Sequence, residues 1–157
     1  FVLGIFAFSE LKIGLVNPQK IVEKTKKGLV IKNKLEKLQN EKMQKAQTLQ
    51  DAIKKLENDL RSPALNNDAR QKKTIEMQEK QTALKRFVED ARKEFTLEYQ
   101  KEMMALEKEI MPLIENLGKQ KGLTLILDMT TSGIAYYDTA VDITDDVIKA
   151  VDAKFSK

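Results

Sequence analysis

Cysteine, histidine and tryptophan are all absent from this chain of 157 residues. Without Cys there are no disulfides, no thiol catalysis and no thiolate metal site. The compartment stays open on that ground, since a cysteine-free chain persists in any redox environment. Without His the commonest general base and the commonest metal ligand are gone. An enzyme would have to work with carboxylates, Lys, Tyr or the few Ser, and none of these stands in a nucleophile motif. No catalytic residue, no cofactor and no metal are therefore expected. Proline occurs three times and glycine six, which leaves room for long regular elements.

What is present is charge, at 33% of residues, high for a compact fold. It is unevenly placed. Residues 19–121 hold 24 Lys and Arg against 17 Asp and Glu, while the rest holds 4 against 7. The middle of the chain is basic and its ends are mildly acidic. Such a surface either attracts an anionic partner (nucleic acid, membrane headgroups or an acidic protein) or is a solvated face of mixed charge.

The first nine residues, FVLGIFAFS, are apolar and too short for the about twenty residues that span a bilayer. They read as the end of an export signal, with small Ala7 and Ser9 set for cleavage before Glu10, or else as a buried strand. Residues 11–16 alternate Leu11, Ile13 and Leu15 with Lys12 and Gly14, which predicts a strand. Asn17-Pro18 predicts a cap and first turn of a short helix to about Lys26, with Gly28 marking a break.

A first long helix is predicted from about Val30 to Arg61. Ile31, Leu35 and Leu38, then Leu49, Ile53, Leu56 and Leu60, give it one narrow apolar seam. Between them Lys42, Met43, Lys45 and Ala46 make that seam poor. SPALNNDAR (62–70) supplies the Pro, Asn and Asp of a sharp turn. A second helix, capped near Asp68, runs to about Lys121 on Leu84, Val88, Ala91 and Phe95, then Tyr99, Met103, Leu106 and Ile110. A kink is expected at Pro112. Paired narrow seams are the mark of an antiparallel coiled coil.

Beyond Gly122 the period changes. Residues 123–128 and 133–138 predict a β-hairpin. Thr144 is expected to cap a last helix whose first turn holds Asp145 and Asp146. With Asp142 these carboxylates read as capping and helix-dipole placement, not as a cation site. The fold class is α+β: a small β-rich body from residues 10–29 and 118–157, and a long antiparallel coiled-coil hairpin arm from 30–117 with its tip near 62–70. The body, built on Leu11, Ile13, Leu15, Leu123, Leu125, Leu127, Ile134 and Tyr136, is too small for an independent core. Association of several copies is the remedy, with open strand edges inviting closure.

The segments KIGLVNPQKIV and KGLTLILDMTTSGIAYYDTAVDITDDVIKAV, flanking a charged hairpin, resemble the Skp/OmpH family of periplasmic chaperones over essentially the whole chain. The resemblance implies a homotrimer with three arms around a cavity. It also implies an ATP-independent holdase that receives unfolded outer-membrane proteins in the periplasm. A transient contact with the membrane surface or with lipopolysaccharide comes with it, though no motif here carries a site.

In such a protein Met43 and Met77 offer adaptable apolar contacts, while Lys54, Lys55, Lys72, Lys73, Lys85 and Arg86 attract acidic clients. Met103 continues the seam. No groove-reading motif accompanies the basic pairs, so nucleic acid is not an expected partner. A coiled-coil spacer or tether in the envelope is the alternative, followed by a prefoldin-like cytosolic chaperone.

Overall fold

A computed structural model describes residues 11–155; the leader, its cleavage point and the strand alternative for it lie outside them. The elements are β1 (Ile13–Val16), α1 (Pro18–Lys24), α2 (Lys26–Leu60), α3 (Asn67–Lys121), β2 (Leu125–Asp128), a 3₁₀ turn (Thr139–Val141) and α4 (Thr144–Lys154). The class is α+β with a long helical hairpin. Compact association divides the described residues into 11–31 with 103–155, and 32–102. Residues 103–117, counted with the arm on the sequence, thus belong with the strands.

In the first unit β1 and β2 pair in parallel, Ile13 opposite Leu125 and Val16 opposite Asp128. The expected hairpin partner, 133–138, is not a strand in the single chain. Four residues, 129–132, separate the two expected strands. Here Asp128 instead ends β2 by folding the chain back, accepting from the Thr130 N–H at 2.7 Å and its hydroxyl at 2.6 Å. The Thr130 hydroxyl, first among these donors, holds the Asp128 carboxyl below its usual range. The unit is accordingly richer in helix than in strand. The other side of β1 receives a single bridge from Asp142, and the Ile143 N–H donates to the Leu15 carbonyl at 2.9 Å.

Leu15, Val16, Ile21, Ile31, Leu106, Ile110, Ile143, Val147 and Val151 form the core of this unit. Two threonines are fully buried within it, and both are satisfied, as buried hydroxyls must be. The Thr144 hydroxyl accepts from the Asn17 N–H at 3.0 Å, so it ties α4 to the start of α1. The expected cap role is filled by no side chain: Ile143 holds the N-cap position without a side-chain cap hydrogen bond, and just before it the Asp142 carboxylate accepts from the Thr144 N–H at 2.9 Å.

Thr25 separates α1 from α2 and its hydroxyl accepts from the Gly28 N–H at 3.1 Å. The break expected at Gly28 therefore falls at Thr25, and Gly28 lies inside α2. A Cβ at Gly28 would come within 1.7 Å of the Val22 carbonyl oxygen, so glycine is what lets the two helix ends approach this closely. At the other end of the hairpin, α3 runs through Pro112 to Lys121. It stops where Gly122 takes a φ of 62°, with Leu123 N–H donating to Gly118 O and Gly122 N–H to Lys119 O, a Schellman motif.

In the second unit α2 and α3 run antiparallel. Lys34 meets Glu98 and Glu102, Lys42 meets Glu94, and Lys73 meets Asp59, so the paired numbers converge on the turn as a hairpin requires. Arg70 closes that turn by donating to the Leu60 carbonyl at the end of α2 and to the Ser62 carbonyl, which also accepts from the Leu65 N–H. Asn66, not Asp68, caps α3, accepting from the Ala69 N–H at 2.8 Å. Asp68 occupies the first turn, where its charge suits the helix dipole.

Candidate functional site

The arm seam closes well at Ile53 and Leu56 and at Leu35. Between these points the sequence places Lys42, Met43 and Ala46 on α2, opposite Phe87, Ala91 and Phe95 on α3. Small Ala46 and Ala91 line this stretch together with the two Phe, and the space between the helices is left unfilled. The result is an apolar groove of about 320 Å³, lined also by Gln39, Val88 and Arg92, at the small end of ligand-sized clefts. Met43 stands at its rim, 59% exposed. The two charged residues that line it, Lys42 and Arg92, are both basic. Lys42 is taken by Glu94 at 2.6 Å.

Nearby ion pairs hold the register. Lys34 lies 2.5 Å from both Glu98 and Glu102, and its hydrogen bond to Glu102, then that to Glu98, pushes its pKa up to about 12. Lys34 in turn holds Glu98 below the usual carboxylate range. Lys73 does the same to Asp59 near the turn.

Of the residues singled out on the sequence, Met43 lines this groove. Met77 is half-buried elsewhere on the arm. Lys54, Lys55, Lys72, Lys85 and Arg86 are exposed, whereas Lys73 is half-buried against Asp59. These cations are strung along the arm and do not converge on one point. The sequence reading missed Phe87, Ala91 and Phe95 as a site, having assigned Ala91 and Phe95 to the seam. The signal was there in the gap it noted at Lys42 to Ala46: helical periods that fail opposite one another leave space.

In the strand-bearing unit, Leu15 is spent in its own chain's core, while Ile13, Leu123, Leu125, Leu127 and Ile134 are half-buried. Leu11 and Tyr136 are exposed, Tyr136 at 87%. Among the described residues β2 has β1 as its only strand neighbour. A second apolar pocket of about 460 Å³ lies beside it, bounded by Ile21, Met103, Leu106, Met111 and Ile126 among others. Among the described residues no cluster of acidic side chains could hold a metal, and no helix is long and apolar enough to cross a membrane.

Three comparisons bear on this architecture. No curated protein matches the chain. A crystal structure of a candidate outer membrane chaperone (OmpH-like) from Caulobacter crescentus CB15 superposes with a TM-score of 0.79 at 18% identity, covering 100% of this chain and 93% of that one; it is a likeness of fold. The family model for outer membrane protein (OmpH-like) matches residues 12–151, which takes in both strands, the whole hairpin and most of α4, so the chain belongs to the OmpH-like family.

Proposed function

We propose that this protein is an ATP-independent holdase chaperone of the periplasm, binding unfolded outer-membrane proteins between the arms of a homotrimer. The observation that carries the reading is the arm itself. It is a long hairpin with few buried apolar side chains, an unfilled apolar groove and exposed cations along its length. A holdase binds many sequences weakly, which a loose apolar and basic surface does better than a shaped pocket. Membership of the OmpH-like family supports a chaperone role, as does the likeness to a candidate outer membrane chaperone.

The trimer is supported by β2's one-sided pairing and by residues 133–138, strand-like in sequence, unpaired among the described residues and carrying the exposed Tyr136. Open edges of this kind pair with other copies. Ile13, Leu125, Leu127, Ile134 and Tyr136 are the contacts we assign to it. Met43, Met77 and the arm cations are those we assign to clients. Export to the periplasm is part of the proposal, with residues 1–9 read as the end of a leader cleaved before Glu10.

The test is aggregation of an urea-unfolded outer-membrane β-barrel protein, diluted into buffer with residues 10–157 of this chain. Suppression without nucleotide is expected, and the protein should sediment as three copies. Replacing residues 42–101 by a short turn should leave the trimer and remove the suppression. Full suppression by the armless protein would return the arm to the role of a spacer.

A further inference from the structure

We infer that the arm groove is a subsite for one aromatic side chain that has a carboxylate one or two residues away in the same unfolded segment. This rests on the holdase reading and narrows it from any apolar client to a chemical pattern. The groove has three properties that select such a ligand. Its walls are aromatic at both ends, Phe87 and Phe95, eight residues apart on one helix face with Ala91 between them. A ring entering there meets two ring edges or faces, which favours an aromatic over an aliphatic side chain of similar size.

Met43 overhangs the opening and is largely exposed, so its flexible thioether can fold onto an inserted ring. The two charged residues that line the groove, Lys42 and Arg92, are both basic. Lys42 is already committed to Glu94. Arg92 is exposed and takes part in no salt bridge among the described residues. Its guanidinium is therefore open to a carboxylate on the bound segment, and its planar fork suits one. No acidic residue lines the groove to repel it.

The occupant is an extended segment, because the groove is a gap in a seam, shallow and open along the helices. It takes one side chain without enclosing its neighbours. Closing the groove would be simple for the fold, since a larger residue at Ala46 or Ala91 would complete the apolar seam.

The protein is labelled at its methionine methyls and titrated with three soluble peptides of equal length. One alternates Tyr with Asp, one Leu with Asp, and one Tyr with Lys. The Tyr–Asp peptide should move the Met43 methyl resonance and leave that of Met77 in place. It should bind roughly two- to tenfold more tightly than the Leu–Asp peptide and about two- to fivefold more tightly than the Tyr–Lys peptide. Ala91→Leu should fill the groove and abolish the Met43 response. Arg92→Gln, a surface change, should keep that response and erase the preference for Asp over Lys.

A silent Met43, an equal response to all three peptides, or a response that survives Ala91→Leu overturns the inference. So does a Met43 shift that follows protein concentration without peptide, which would put a second copy in the groove. Aggregation suppression is measured on the same sample. Suppression with a silent Met43 refutes the subsite and leaves the holdase reading standing. The predicted Met43 pattern without suppression supports the subsite and refutes the holdase.

Discussion

The two compact units of this chain spend their apolar residues differently. Nine of the buried apolar side chains lie in the unit that holds the strands, and three, Leu35, Ile53 and Leu56, lie in residues 32–102. The first unit converges five elements on one centre, so that Leu106, Val147 and Val151 are almost wholly enclosed. The second has only one helix to set against another. A single seam covers a narrow stripe, and the rest of each helix stays in water. Its cohesion is supplied in part by cross-helix ion pairs at Lys34, Lys42 and Lys73. One unit is thus built to hold a shape, and the other tolerates gaps and exposed apolar groups such as Met43, Ile75 and Leu97. On the proposed holdase reading, that tolerance is what lets a surface receive varied chains.

Truncation should expose the contrast most strongly. Leu106 is 2% exposed, and Leu106→Ala should cost about 2–5 kcal/mol of stability. Leu84→Ala, at a half-buried seam position of the arm, should cost clearly less. Chemical denaturation of each variant gives both figures. Equal losses would mean that the arm is as tightly built as the strand-bearing unit, and the contrast would collapse.

Next in size is the joint between α1 and α2. Gly28→Ala places a methyl where the Val22 carbonyl oxygen stands, so backbone must move, at a cost of about 1–3 kcal/mol. The helicity of the arm should survive while the melting temperature falls. Thr144→Val should be milder, about 1 kcal/mol, because it strands the half-buried Asn17 N–H that the hydroxyl now satisfies. If Thr144→Ser restores wild-type stability, the hydrogen bond is the cause. If it does not, the methyl contact is.

The sequence made most of this contrast readable, for reasons that differ by element. Long stretches with one apolar residue every three or four positions can only be helices that face one partner, so both arms and the turn at 62–70 were legible. Asn17-Pro18 set the start of α1 by its own chemistry, and the Asn17 carboxamide does accept from Lys20 N–H. What stayed hidden depends on contacts distant in sequence. Residues 133–138 alternate like a strand, yet strands exist only as pairs and no partner strand among the described residues meets them. Thr144 looked like a cap from its neighbours, but its hydroxyl answers to Asn17, far away in sequence. Gly28 looked like a helix break, and only the approach of Val22 shows it to be a close contact. The groove was visible as a weak seam on α2; that Ala91 and the two Phe of α3 would line the same gap required the register.

The smallest effect separates the units by pH. In the arm, Lys34 has a pKa pushed from 10.5 to about 12 by Glu102 and Glu98. A base held tighter when folded adds stability that is complete below 10.5 and is lost as pH rises through about 12. Glu98 and Asp59 have pKa values lowered from 4.5 and 3.8, chiefly by hydrogen bonds to Lys34 and Lys73. Their contribution is present above those ordinary values and disappears as pH falls through the lowered ones. The same acid limb acts on the strand-bearing unit through Asp146, lowered by Lys121 at 2.6 Å, but that unit also has its apolar core. The arm should therefore loosen first at both extremes. Hydrogen exchange of arm amides, followed across pH, should show openings growing at the acid and alkaline ends while amides of α4 change less. Lys34→Met should erase the alkaline limb and weaken the acid one. Added salt should mute both, since these pairs are exposed and screened. Arm amides that stay as protected as those of α4 at both extremes would show that its narrow seam, and not its ion pairs, sets the register of the hairpin.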